Sequence, residues 1–414
     1  MLRSNSNFVI PRARSARGIC FSLAGRKSRS LAALGMTALG TLVMTALATI
    51  AGAQQQAPTN LKDAFAGSFR IGAALNANQF SETDTKGAAL VKAQFNSITP
   101  ENVLKWESVH PQPDKYDFAA PDRYVAFGVA NKMFIVGHTL VWHSQTPRWV
   151  FQDSSGKPLT RDVLLARMRD HIHTVVGRYK GRINGWDVVN EALNEDGTLR
   201  RSPWYNIIGE DYIEQAFRFA HQADPDAELY YNDYNLEVPA KRDGAVALIK
   251  KLKAAGVTIH AVGSQAHDRI DLPRSPILHD SSITALAATG VKVNITELDV
   301  DVLPRATQNR TADVGVTAQG QVNSAMNPFA AGLPDSVQRK LTQRYVDLFT
   351  VLMKHRDVID RVTFWGVGDG DSWLNNWPMR GRTNYPLLFD HQHVPKPAFG
   401  AVLQIARGAR PSAD

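Results

Sequence analysis

Two glutamates, far apart in the chain, each close an apolar run of the kind that makes a buried strand. Glu191 ends Trp186-Asp187-Val188-Val189-Asn190-Glu191, and Glu297 sits in Val293-Asn294-Ile295-Thr296-Glu297-Leu298-Asp299. A strand that runs apolar and stops on a carboxylate places that carboxylate at the rim of a sheet. Two such groups facing one cleft suit the cleavage of a glycosidic bond. One gives a proton to the leaving oxygen; the other attacks the anomeric carbon or activates a water. These roles separate only if the proton affinities differ, and two carboxylates in a partly dry cleft do not both ionise cheaply. Asp299 lies two residues beyond Glu297 and so shares its strand face. His267, from the preceding strand, can bridge the two, and an Asp299–His267–Glu297 chain would hold Glu297 ionised. Glu297 is therefore expected as nucleophile and Glu191 as acid/base. A single glutamate usually ends solvated or ion-paired on the surface. What lifts this pair above that fate is their joint occurrence at strand ends, Asn190 beside one and Asp299 beside the other.

A pyranose has apolar C–H faces that suit aromatic rings and hydroxyls that want amides and charges. Trp142, Trp365 and Trp373 each follow a strand end and offer such platforms, whereas Trp106 and Trp186 fit a core position. Glu101, Asn102 and Lys105 follow the second strand, where a solvated loop and a binding site are equally consistent with their charges.

The elements that must position these groups alternate along the chain. Eight strand-like runs occur near 69–74, 95–99, 134–141, 185–191, 228–232, 261–265, 293–298 and 362–367. Between them the apolar residues recur at helical spacing: Leu165, Met168, Ile172, Val175, Val176 and Tyr179; Val246, Ile249 and Leu252 before the helix stop Gly256; Val337, Leu341, Leu348 and Leu352. Strand–helix alternation implies a parallel sheet. Eight repeats without a linker or composition break favour a closed (β/α)8 TIM barrel in a single domain. An open doubly wound sheet would bring a glycine-rich phosphate loop after an early strand, and Gly72-Ala73-Ala74 is a poor match to one. In a barrel, reactive residues gather where strands end. Polar and aromatic clusters do follow nearly every run, among them Asn232-Asp233-Tyr234-Asn235 and Gln265-Ala266-His267.

The chain begins with a basic stretch, Arg3, Arg12, Arg14, Arg17, Arg26, Lys27 and Arg29, that contains no acid. An apolar run from Leu31 to Ile50 and the small residues Ala51-Gly52-Ala53 follow. This pattern fits a secretory signal over 1–53; a retained membrane anchor is the alternative. The formal charge of +8 loses those seven positive charges on cleavage and leaves about +1, so the basic pI is no sign of a nucleic-acid partner. The lone cysteine, Cys20, lies in the same stretch, so no disulfide is expected in the mature chain. His171 and His173 lie two apart on a predicted helix and face different ways. His391 and His393 sit in a late loop, and neither a zinc spacing nor a calcium loop is present. No metal and no cofactor is expected.

These motifs together resemble glycoside hydrolase family 10, the endo-β-1,4-xylanases. The resemblance runs from Gly72 to Phe399. It is carried by Phe95 to Asn102 with Lys105-Trp106-Glu107, by Gly137 to Gln145, by Trp186 to Ala192, by Tyr231 to Tyr234, by Ile295 to Asp299 and by Phe364 to Val367. It implies retention of configuration by double displacement, with Glu191 and Glu297 in the roles given above. It further implies that Asn190 contacts the 2-hydroxyl of the sugar being cleaved. His138, Trp142, Gln265, His267 and Trp365 would line that subsite; Glu101, Asn102, Lys105 and Trp373 would hold the next sugar, supported by Gln145. Gly368-Asp369 stands where many relatives have Thr-Asp, and a long loop, 304–334, would overhang the active face. The expected organisation is a signal over 1–53, a short tail over 54–60, a catalytic domain over 61–404 and a C-terminal tail over 405–414. The expected protein is a monomer, secreted to the periplasm or the medium, acting on xylan and xylo-oligosaccharides. It would have no nucleic-acid partner, and no membrane association once the signal is removed. A barrel that binds xylan without cutting it would have lost one of the carboxylates. An inverting enzyme would hold them about 6.5–9.5 Å apart rather than about 5–5.5 Å. A β-glucanase would need room for the extra CH₂OH of glucose.

Overall fold

The computed structural model describes residues 59–306, 314–315, 317–318 and 321–408. Nine strands are present among them: β1 (Arg70–Leu75), β2 (Ser97–Pro100), β3 (Phe134–Trp142), β4 (Gly185–Asn190), β5 (Glu228–Asp233), β6 (Ala261–Ser264), β7 (His267–Arg269), β8 (Lys292–Asp301) and β9 (Ile359–Phe364). All pairings are parallel. They run β1 to β6 in chain order, then β6 to β8 and β8 to β9, and β9 returns to β1 with Ile71 opposite Val362. The sheet therefore closes on itself as the expected (β/α)8 barrel. Closure buries both faces of each strand, which is why β4 is buried throughout and reads as a nearly unbroken apolar run.

β7 is the departure from eight expected strands. Two residues, Gln265 and Ala266, interrupt β6, and Ala266 turns the chain with φ of 59°. The strand resumes as His267–Arg269 against Asp299–Asp301 of β8. Its residues, His-Asp-Arg, carry no apolar signal, so the sequence pattern does not show it. The same pairing lengthens β8 three residues beyond the expected end. β9 begins three residues earlier than expected, and the Trp365 amide still donates to the Leu298 carbonyl at 3.1 Å.

The helices follow the 3.6-residue period. Arg161–Arg178 buries Leu164, Met168, His171, Ile172, Val175 and Val176, so its seam starts at Leu164 rather than Leu165. Asp335–Lys354 packs Leu341, Tyr345, Leu348, Phe349 and Leu352 inward and leaves Val337 half-buried. Gly256, with φ of 67°, follows Pro239–Ala254 where a stop is expected. Trp106 and Trp186 are core residues, as expected. The expected signal and most of the two tails lie outside the described residues. Asn60 caps the first helix through a bond from the Asp63 amide. The last helix, Pro397–Ala406, runs two residues past the expected boundary. Among the described residues no helix is long and apolar enough to cross a membrane.

Candidate active site

Every residue assigned to the site from the sequence except Asp299 lines one cleft at the C-terminal ends of the barrel strands. Val314, from the long loop, joins the lining. Asp299 stands behind His267.

Glu297 is buried within β8. His267 Nε2 lies 3.1 Å from Glu297 Oε2, and His267 Nδ1 lies 3.0 Å from Asp299 Oδ1. Asp299 Oδ2 in turn accepts from the Trp373 indole at 2.8 Å. Burial pushes His267 toward neutrality, but the two flanking carboxylates outweigh it and raise the imidazole to about 10. The ring is therefore a cation that donates from both nitrogens. Glu297 Oε1 also accepts from Asn232 Nδ2 at 2.9 Å. Burial alone would raise the Glu297 carboxyl; the His267 bond and charge, with help from His138 and Asn232, hold it below the usual range.

Glu191 lies one residue beyond β4, equally buried but differently held. Its Oε2 accepts from the Trp142 indole at 2.8 Å and its Oε1 from Gln265 Nε2 at 3.0 Å. Both donors are neutral. Burial raises its pKa, with the negative charges of Asp233 and Glu297 adding to the shift, against His143 and Gln265. One carboxyl of the cleft is thus poised to carry a proton and the other to be ionised.

Asn232, the penultimate residue of β5, joins the two halves. Its Nδ2 reaches both Glu297 and Asn190 Oδ1, each at 2.9 Å, and its Oδ1 accepts from Thr296 at 2.7 Å. Gly263 on the neighbouring strand makes this possible, because a Cβ there would stand 2.3 Å from Asn232 Oδ1. Sequence inspection places Asn232 in a strand-end cluster without assigning it a role. Its position just before an acidic residue at a strand end, Asn232-Asp233 beside Asn190-Glu191, is the signal that marks it.

The charged residues after β2 belong to the cleft rather than to a solvated loop. Lys105 is buried and donates to Asn102 Oδ1 at 3.0 Å and Gln145 Oε1 at 2.8 Å, 5.0 Å above the Trp142 ring. Burial lowers its pKa, countered by the carboxylates Glu297, Glu101 and Glu191. Burial raises Glu101 to about 7, with Lys105 opposing and Asp371 adding. His138 Nδ1 is engaged by Asp187 Oδ2 at 2.9 Å, which leaves its other nitrogen for a ligand. Trp142 is only 5% exposed, so its first contact is Glu191 rather than an open sugar face. Trp373 is more open and stacks on Trp377 at 4.6 Å, which extends the aromatic surface by a residue not foreseen from sequence.

His171 is buried, stacked on Trp106 and bonded to His110. His393, with Asp84 and Asp371, forms the one potential ligand trio among the described residues, their donor atoms within 4.8 Å of one another. Its members are already engaged: His393 with Asp371 at 3.2 Å, and Asp84 with the Gly87 amide at 3.0 Å. Three separate loops supply it, which is why no sequence spacing announced it.

The model of glycosyl hydrolase family 10 matches residues 60–405. The endo-1,4-beta-xylanase A of Xylanibacter ruminicola is 47% identical over 359 residues, covering 87% of this chain and 96% of that protein. The endo-1,4-beta-xylanase of Geobacillus stearothermophilus is 42% identical over 353 residues, with 84% and 98% covered. Among solved structures, a family 10 endoxylanase from a sugarcane soil metagenome superposes with a TM-score of 0.80 at 48% identity, over 84% of this chain and all of that one. A xylanase from Paenibacillus barcinonensis complexed with a conduramine derivative gives 0.73 at 38% identity, over 84% and 99%.

Proposed function

The chain belongs to glycosyl hydrolase family 10, and from that premise we propose that it cleaves internal β-1,4 bonds of xylan with retention, Glu297 as nucleophile and Glu191 as acid/base. The observation that carries this reading is the opposite poise of two buried carboxyls in one cleft, one lowered by a cationic imidazole and one raised by burial. In the first step the Glu297 carboxylate attacks the anomeric carbon while protonated Glu191 gives its proton to the departing glycosidic oxygen. In the second, ionised Glu191 takes a proton from water, whose oxygen displaces Glu297 from the anomeric carbon. Asn190, held by Asn232, supplies an amide beside the reacting sugar. Lys105, Glu101, Asn102 and Trp373 bind the next unit toward the non-reducing end.

Sizing the products from xylan and from cellulose over time tests the substrate. Short oligomers appearing early from xylan alone support the reading, and monomer released from chain ends alone overturns "endo". Glu191→Ala should lose about 10²–10⁴-fold on xylan, the usual worth of a general acid. It should lose far less in the first step on an aryl glycoside whose leaving group needs no proton. Equal loss on both would remove Glu191 as the acid.

We further propose that the basic and apolar leader directs secretion and that the mature chain, a monomer, starts at Gln54. N-terminal sequencing of the secreted protein and its elution volume check both points.

A further inference from the structure

Glu191 adopts φ of 57°, the left-handed region that disfavours a residue with a side chain. Something outside the catalytic pair must hold it there. Every main-chain polar group from Glu191 to Leu193 is paired. The three amides are taken from one side: Glu191 N by the Asn232 carbonyl at 2.9 Å, Ala192 N by the Tyr231 hydroxyl at 3.2 Å, and Leu193 N by Asp233 Oδ2 at 3.3 Å. The three carbonyls are all taken by Arg200. Its Nε donates to Glu191 O at 3.0 Å, its backbone amide to Ala192 O at 2.7 Å, and its Nη2 to Leu193 O at 3.3 Å. Nη2 also donates to the Tyr234 hydroxyl at 2.8 Å, which ties the guanidinium to the segment after β5. Arg200 does not line the cleft.

We propose that Arg200 is the positioning residue of the acid/base: its planar fork spans the carbonyls of Glu191 and Leu193 and locks Glu191 in the left-handed turn that aims its carboxyl at the leaving oxygen. The inference rests on the role of Glu191 given above. A rigid fork with several donors suits this task better than a single flexible ammonium. Without the grip, the turn relaxes toward an ordinary conformation and the carboxyl leaves its donors on Trp142 and Gln265. A small misplacement of a reacting group costs about 10²-fold in rate.

The test compares wild type, Glu191→Ala, Arg200→Met and Arg200→Lys on xylan and on a dinitrophenyl β-xylobioside, with and without azide. Azide needs no general base to attack the glycosyl-enzyme: its nitrogen bonds to the anomeric carbon as the bond to Glu297 breaks. Arg200→Met should lose about 10- to 100-fold on xylan and much less on the aryl substrate before azide. It should be accelerated by azide with xylobiosyl azide as product, and Arg200→Lys should fall between it and wild type. Equal loss on both substrates with no azide product would make Arg200 merely structural and overturn the proposal. If Arg200→Met does not fold, the same readouts on Arg200→Lys decide. Failure of azide to rescue Glu191→Ala would instead overturn the role of Glu191 itself.

Discussion

Glu191 and Glu297 are the same residue type, equally buried in one cleft, yet their surroundings pull them apart. Glu297 stays in an extended strand and meets a cation, His267, fixed from behind by Asp299. Glu191 sits in a left-handed turn and meets only neutral N–H donors on its carboxyl. Burial alone raises both; a charged hydrogen-bond donor reverses the sign for one of them. The difference between the two carboxyls is therefore the charge of the donor, not the depth of the site. The backbone strain is also unequal. Glu191 itself takes positive φ just beyond β4, whereas the strand carrying Glu297 runs on without such a turn.

Removing the proposed nucleophile gives the largest expected effect. Glu297→Ala should lower turnover by about 10⁴-fold or more on xylan and on aryl glycosides alike, in contrast to the split behaviour of Glu191→Ala. Steady-state rates on both substrates check it, and residual retaining turnover would break the comparison. Removing the cation is next. With His267→Asn, Glu297 loses the partner that holds it ionised, so its pKa rises. Since attack needs the carboxylate, kcat/KM falls as pH drops through that pKa, and the acidic limb of the pH profile should move to higher pH. The alkaline limb, set by the proton on Glu191, should move much less. A profile in which both limbs shift together would show that the two groups are not separately tuned. Gly263→Ala should act more gently. The added methyl displaces Asn232, and stability should fall by about 1–3 kcal/mol from overpacking. Activity should fall by less than the loss of either carboxyl. Urea denaturation and kcat measured on the same preparation separate the two effects.

Both glutamates were legible because closure of a parallel barrel demands apolar runs, and a carboxylate in or after such a run stands out; Glu191 does follow the end of β4, whereas Glu297 lies inside β8, which its pairing with β7 carries on to Asp301. The Asp299–His267–Glu297 chain was legible for a local reason as well, since residues two apart share a strand face. Trp142 shows the limit. Its place at the end of β3 marks it as a platform, but whether an indole lies open or turns its N–H to Glu191 depends on how β3 and β4 register, with Trp142 beside Asn190. β7 was invisible because three polar residues held by a partner strand leave no periodic trace.

From its residues alone this chain declares eight strand–helix repeats, a pair of carboxylates at strand ends and the family to which those motifs belong. These follow from short-range pattern: burial of both strand faces, helical spacing, and residue types placed in order. Only the closed barrel decided which of the two carboxyls is lowered and which raised, that Asn232 would link Glu297 to Asn190, and that Arg200 would meet the carbonyls of the turn at Glu191. Those contacts join side chains up to 74 positions apart along the chain. Their distances are set by inter-strand register and by the space a missing Cβ leaves at Gly263, quantities that no local pattern contains.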